Sequence, residues 1–307
     1  MLVLGIDAGG TGSRAVLVRV PDGEVVGRGS GGPGNPVASP DAAHEVGRAA
    51  RAALAGHEPA GVAGAVLGVA GTSVFADPTV SAAFGAAFAA VGLAVPVPPV
   101  GDVVTAFAAG SACDSGAVLI AGTGAIAAHV PQWTVGRTVD GWGWLLGDEG
   151  SGFWIGRRAV RAAVRDPGSA LGARVHAHAG ASTVDELVRW ATVSAAGSGP
   201  PPLAGLAPLV CALARGGEPA AARIVDDAAG RLVATLDALG PVDGPVVLAG
   251  SLLTRETPVR AAVCARLDGR DVRPRVAGDP ALAAAWLAAR PLLGTDAAAH
   301  LHATLLP

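Results

Sequence analysis

Asp7-Ala8-Gly9-Gly10-Thr11-Gly12 places a carboxylate at the end of an apolar run and follows it with a glycine-threonine turn. Glycines permit positive φ and let consecutive amides approach an anion, and the threonine hydroxyl adds a donor. The carboxylate could hold a hydrated divalent cation against the same phosphate. A tight turn between two core strands is the plainer alternative, and Arg14, nearby in sequence, reads equally as a solvated strand residue. The device recurs at Gly122-Thr123-Gly124, and Leu248-Ala249-Gly250-Ser251 is a third glycine turn before a helical stretch. Two corresponding hairpins and a third turn fit a nucleotide gripped between two domains better than unrelated turns would.

Asp102, after Gly101, ends a strand-like segment and begins a helix. Aspartate there suits an N-cap, and it also suits a general base that takes the proton of a hydroxyl attacking a γ-phosphate. The segment Asp140–Gly156, DGWGWLLGDEGSGFWIG, gathers three of the six tryptophans with six glycines and three acids just before a helix. That mixture is poor material for a core strand. It suits a sugar site where acids bind hydroxyls and an aromatic supports an apolar face. Core tryptophans, with Asp148 and Glu149 capping the next helix, form the alternative.

Composition narrows the chemistry. All 22 basic residues are arginine, so the Walker lysine, a Schiff-base lysine and the protein-kinase strand lysine are excluded together. Phosphate must be handled by backbone amides, arginine or a metal ion. The net charge of -3 gives no sign of nucleic-acid or acidic-membrane partners. Cys113, Cys211 and Cys264 lie far apart and outside any zinc or disulfide spacing, and free thiols in a reducing cytosol are expected. Mean hydropathy is +0.48, yet no long unbroken run of large apolar residues occurs, and a soluble cytoplasmic protein is expected.

The 307 residues suffice for about two domains. Residues 2–6, 14–20 and 24–29 read as a three-strand antiparallel meander. Helical patterns follow at 40–55 and 77–91, strand-like ones at 63–71 and 94–98, and a helix starts at Asp102. The theme restarts with GAVLIAGTGAIAAHV (116–130) and WTVGRTV (133–139), a weak repeat near 110 residues. Helices are expected at 151–165, 183–193, 203–215, 219–239, 256–267 and 280–290, a strand at 245–250, and a loop at GSGPPP (197–202). The tail 291–307 reads as either a contact or a loose end.

Together, MLVLGIDAGGTGSRAVLV, VAGTS (69–73), GDVVTAFAAG (101–110), LIAGTGAIA (119–127), GWGWLLGDEGSGFWIGRRA (141–159), LAGS (248–251) and GDPALAAAWLA (278–288) resemble the N-acetylglucosamine kinase branch of the sugar kinase, actin and heat-shock chaperone superfamily. The resemblance implies an α/β fold of two ribonuclease-H-like domains with a cleft between them. One would span 1–110, joined by a C-terminal helix at about 280–292, and the other 111–279. It implies ATP and Mg²⁺, an amino sugar as acceptor and a possible homodimer. By position, Asp7 would orient the metal, Gly9, Gly10 and Thr11 would hold phosphates with Gly122 and Thr123, and Gly250 and Ser251 would line the adenosine pocket. Asp102 would be the base for the sugar 6-hydroxyl, with Asn35, Gly71, Thr72, Gly143 and Asp148 around the sugar. The second hairpin, GTGAIA, lacks the serine that often follows the second glycine in such kinases. The ATPases that activate 2-hydroxyacyl-CoA dehydratases resemble the same ATP-binding halves and give a second expectation, although no cysteine here sits in a glycine-flanked cluster motif.

Overall fold

Leu2–Ala8 (β1) is apolar almost throughout because both of its faces are covered, and Val3, Leu4 and Ile6 are wholly buried. The computed structural model describes residues 1–196, 202–270 and 272–307. The chain divides into two compact units: one of Met1–Asp114, Gln132–Val135 and Ala277–Pro307, the other of Ser115–Pro131 and Gly136–Val276.

In the first unit, β1 pairs antiparallel with β2 (Ser13–Arg19), and β2 with β3 (Val25–Gly31). After α1 (Ala42–Ala53), β4 (Val62–Val69) runs parallel to β1. After α2 (Pro78–Ala89), β5 (Pro99–Gly101) runs parallel to β4, and α3 (Asp102–Ala108) follows at once. The sheet order is β3-β2-β1-β4-β5. Ala8 stands opposite Val69, and Val69 opposite Gly101, so β1, β4 and β5 end level with one another. That register fixes where their outgoing loops begin. Segment 94–98 is not a strand. Pro96 and Pro98 have no N–H to give, and pairing starts only as Leu67 N donates to Pro98 O.

Close helix–sheet packing in this unit depends on glycine. On β3, a Cβ at Gly27, Gly29 or Gly31 would lie 1.9, 2.0 and 2.2 Å from the carbonyl oxygens of Ala53, Ala49 and Glu45, one turn apart on α1.

The second unit repeats the plan. Strands β6 (Gly116–Ala121), β7 (Ala125–Val130) and β8 (Thr138–Asp140) form an antiparallel meander. Next come α4 (Gly143–Leu146), α5 (Gly152–Arg165), α6 (Ala170–Ala179), α7 (Val184–Ala196), α8 (Ala207–Arg215) and α9 (Pro219–Asp237). Strand β9 (Val246–Ala249) then enters parallel to β6, followed by α10 (Ser251–Thr254), α11 (Pro258–Asp268) and the short β10 (Arg275–Val276). The order β10-β9-β6-β7-β8 is the first sheet's order with each strand replaced by its counterpart. The repeat read from the two glycine-threonine turns is therefore a repeat of topology. Of WTVGRTV, only Thr138 and Val139 enter a strand, because Gln132 and Trp133 have φ of 48° and 61°. Trp133 instead stacks edge-on against Trp286 in the first unit. Residues 197–201 of the GSGPPP patch lie outside the described residues.

Helices α12 (Pro280–Ala289) and α13 (Thr295–Leu305) belong to the first unit. α12 lies so close on β1 that a Cβ at Gly5 would fall 2.2 Å from both Ala281 O and Ala285 N. The tail is an ordered helix: Leu301 is buried, His302 Nε2 donates to Ala108 O at 2.8 Å, and Ala298 O accepts from Trp286 Nε1 at 2.7 Å. Among the described residues, no helix is long and apolar enough to cross a membrane.

Glycines under contact and glycines in the open should respond oppositely to one added methyl. Gly5→Ala is expected to destabilise the protein by about 1–3 kcal/mol or more through overpacking. Gly85→Ala, in α2 with open space around it, should stabilise by up to about 1 kcal/mol. Thermal denaturation of the two variants checks this, and a neutral Gly5→Ala would contradict the packing described.

Candidate functional site

In the first unit, the level strand ends carry the candidate residues. The turn after β1 closes with Gly9 N donating to Gly12 O at 3.0 Å, and Gly34 N donates to Gly9 O at 3.0 Å, tying the loop that bears Asn35 to the hairpin. Gly10 and Thr11 are exposed, and no atom lies near a Cβ built on Gly10. The turn thus presents open backbone at its tip. Gly71, at the end of β4, has φ of 69° and precedes a 3-10 turn, Thr72–Ala76. Asn35 Oδ1 accepts from Val37 N at 2.9 Å, which fixes its loop by an Asx turn.

Asp7 stands opposite Arg14 in the hairpin register, and Arg14 Nη2 donates to Asp7 Oδ2 at 2.8 Å. Burial pushes the Asp7 carboxyl above the usual carboxylate range; Arg14 opposes this and the charge of Asp279 adds to it. Asp279 caps α12, accepting from Ala281 N, and lies 3.9 Å from Arg14 and 3.7 Å from Arg28. Asp102 is not the N-cap of α3, which is Gly101, but its first residue, with Oδ1 accepting from Val103 N at 2.9 Å. Burial raises its carboxyl too; the Val103 amide works against the rise, and the negative charge of Asp7 reinforces it. The negative charge of Asp7 thus makes Asp102 harder to ionise, as that of Asp279 does for Asp7. Gly9, Gly10, Thr11, Asn35, Gly71, Thr72 and Asp102 all lie on loops or helix starts at this one end of the sheet.

In the second unit, the turn Gly122-Thr123-Gly124 is locked from both sides. Gly122 N donates to Gly124 O, while Gly122 O and Thr123 O accept from Gly152 N and Phe153 N at the start of α5. Ser151 caps α5, accepting from Trp154 N at 3.1 Å, so neither Asp148 nor Glu149 is the cap. Asp148 is buried at φ 58°, and its Oδ1 accepts from Ala125 N at 3.0 Å, clamping the hairpin from beneath. Burial raises its carboxyl, with the Ala125 amide opposing and Asp140 adding. Glu149 pairs with Arg231 at 2.9 Å. Gly143 opens α4 at φ 80°, beside Trp142, which is 69% exposed.

A cavity of about 340 Å³ in the same unit is lined by Gly122, Thr123, Gly152, Ser251, Arg215 and Arg255, among others. Gly250, next to Ser251 in sequence, has φ 81°, where a Cβ would sit 2.3 Å from Ala121 O, so only glycine fits between β9 and β6. The cavity wall also carries Thr257 and one acid, Glu256, so hydroxyls of Thr123, Ser251 and Thr257 and the guanidiniums of Arg215 and Arg255 are its donors. Among the described residues, no cluster of three or more His, Cys, Asp or Glu gathers at one point. A magnesium ion carried by one carboxylate and substrate phosphates needs no such cluster, and the half-buried, charge-crowded oxygens of Asp7 suit a hard cation.

The family sequence pattern of the BadF/BadG/BcrA/BcrD ATPases matches residues 4–288. The chain belongs to this ATPase family. Among solved structures, a candidate N-acetylglucosamine kinase from Chromobacterium violaceum is 25% identical, with a TM-score of 0.74 over 93% of this chain and 98% of that one. A second such candidate, from Porphyromonas gingivalis, is 20% identical with a TM-score of 0.72, covering 92% and 97% of the two chains. A ROK family glucokinase from Streptomyces griseus, solved with glucose and AMPPNP, is 20% identical with a TM-score of 0.59 over 94% and 100%. These share the α/β fold of two actin-like ATPase domains. No curated protein matches the chain.

Asp140 is the residue that sequence reasoning passes over. Buried at φ 66°, it accepts from Gly141 N (2.8 Å) and Asp148 N (2.6 Å) through Oδ1 and from Glu149 N (2.8 Å) through Oδ2. One carboxylate thereby folds the whole tryptophan-glycine loop back on itself. Asp140→Ala strands these donors and is expected to cost about 1–3 kcal/mol for each left buried. Hydrogen exchange should show residues 141–149 losing protection while β1–β3 keep theirs. Unchanged exchange would remove Asp140 from this role.

The Asp102 result carries a sign. Its folded carboxyl titrates above the unfolded one, so its contribution to stability is full below the ordinary carboxylate range and is lost as pH rises through the folded value. Asp102→Asn should therefore raise Tm at neutral pH, with the gain shrinking in acid. A lower Tm at neutral pH would contradict the burial argument.

Proposed function

We propose that the protein is an ATP-dependent kinase that phosphorylates the 6-hydroxyl of N-acetylglucosamine or glucosamine, with Asp102 as the base. The observation that carries the reading is Asp102 itself: a buried carboxyl at a level strand end, held reluctant to ionise beside Asp7, in a chain of an ATPase family. A carboxyl raised toward the working pH is a better proton acceptor than an ordinary surface aspartate, because transfer from the hydroxyl is less uphill. The likeness to candidate N-acetylglucosamine kinases supports the acceptor class. The exposed Trp142 supports it too, as an aromatic face for a sugar ring.

On this reading the cavity beside Ser251 takes the adenosine, with Gly250 admitting β9 against β6 just before Ser251. In the first unit the exposed tip of the Gly9-Gly10-Thr11 turn would offer amides and a hydroxyl to phosphate, and in the second unit the Gly122-Thr123 turn would offer the Thr123 hydroxyl. Asp7 would hold Mg²⁺ through water, which supplies charge neutralisation on the transferred group. Arg14 keeps the Asp7 carboxylate aimed along the hairpin. Asn35, Gly71, Thr72, Gly143 and Asp148 shape the acceptor side, with Asp148 acting partly by holding the second hairpin. The oxygen freed of its proton attacks the γ-phosphorus, the bond to the β-bridging oxygen breaks, ADP leaves, and the proton resides on Asp102.

Coupled ADP release with N-acetylglucosamine, glucosamine and glucose tests the kinase reading; no turnover with any of them would overturn it. Asp102→Asn should lose about 10²–10⁴-fold in kcat while still binding ATP, the usual worth of a positioned base. Full retained turnover would take the role from Asp102. The acid limb of kcat/KM should lie above the ordinary carboxylate range, since the base must be ionised to act.

A further inference from the structure

Away from these residues, the second unit has a cavity of about 220 Å³ between α5 and α9 whose wall is unusually basic. Arg158, Arg161 and Arg165 stand on α5 at a spacing of three and four residues, so they share one face of the helix. Arg223 faces them from α9. Asp227 is the one acid on the wall, and it is taken by Arg158 at 3.1 Å, whose guanidinium also lies 5.3 Å from the Trp154 ring. Among the described residues, Arg161, Arg165 and Arg223 donate no side-chain hydrogen bond and form no ion pair.

Like charges three and four residues apart on a helix repel, and a fourth across the groove adds to that. Among the described residues, no carboxylate pairs with Arg161, Arg165 or Arg223, in a chain whose overall charge is negative. Guanidinium forks lining one groove match the oxygens of phosphate, two donors to each group. We propose that this groove is a binding site for a small polyanion carrying phosphate groups, separate from the cavity beside Ser251. Arg161, Arg165 and Arg223 are its free ligands, and Arg158, held by Asp227 and Trp154, is its fixed edge. The site sits on α5, the helix whose capped start also anchors the Gly122-Thr123 turn.

The probe is pyrophosphate, followed by calorimetry on the full chain at constant ionic strength against sodium chloride. The wild type should bind it, and Arg161→Glu with Arg223→Glu should weaken binding by at least about tenfold, as expected when charge-assisted hydrogen bonds are lost. Arg161→Lys with Arg223→Lys, which keeps charge but removes the fork, should fall between. Arg51→Glu with Arg174→Glu, which makes the same charge change elsewhere, should leave this binding in place, as should prior saturation of the other cavity with a nonhydrolysable ATP analogue. Binding unchanged in the Arg161/Arg223 double variant would overturn the proposal. So would equal loss in the Arg51/Arg174 control, loss of binding once the other cavity is saturated with the ATP analogue, or no wild-type binding beyond that of chloride. Circular dichroism of the exposed-arginine variants confirms that each is folded.

Discussion

Everything at the first unit's strand ends follows from putting two carboxylates, Asp7 and Asp102, where water is scarce. Burial raises both, and the charge of Asp7 raises Asp102 further. A protein gains nothing in stability from this; a buried carboxylate beside another is a cost. Arg14 offsets part of it for Asp7, and the amide of Val103 part of it for Asp102. What remains is an Asp102 carboxyl held above the usual carboxylate range, at strand ends that the sheet register keeps level.

The rigidity behind that arrangement comes from small residues. Gly5 admits α12 onto β1, and Gly27, Gly29 and Gly31 admit α1 onto β3, at distances no side chain would tolerate. Backbone pressed on backbone leaves little room for the strand ends to drift. In the second unit, carboxylates do comparable work from within: Asp140 gathers three amides, and Asp148 clamps Ala125. A chain rich in glycine and alanine thus builds precise loops by close packing and buried hydrogen bonds instead of large apolar side chains.

Much of this was legible in the residues. The Asp7–Gly12 turn and its echo at Gly122–Gly124 marked hairpins because glycine clusters between apolar runs have few other uses, and they revealed the duplicated topology. The helices read at 77–91, 151–165 and 280–290 begin within a residue of those bounds, but their caps are Asp77, Ser151 and Asp279, whereas the cap readings at Asp102 and at Asp148 and Glu149 do not hold. Asp140 was not legible: its partners are amides up to nine residues ahead, and nothing in its neighbours' types announces a left-handed turn. The alternation in 133–139 points to a strand, yet Trp133 packs against Phe107 and Trp286. Ring packing of a half-buried indole outweighed local pattern. Helix α13 is hidden in an alanine- and histidine-rich tail, and its place depends on His302 finding Ala108 O far back in the chain.

Phosphoryl transfer to a sugar hydroxyl with Asp102 as the proposed base is read out by phosphorus NMR of the products from ATP and N-acetylglucosamine. The expected products are ADP and a single sugar monoester with phosphorus on the 6-oxygen, the ester being absent when Asp102→Asn replaces the wild type. ADP with free inorganic phosphate and no sugar ester, from either protein, would contradict that transfer.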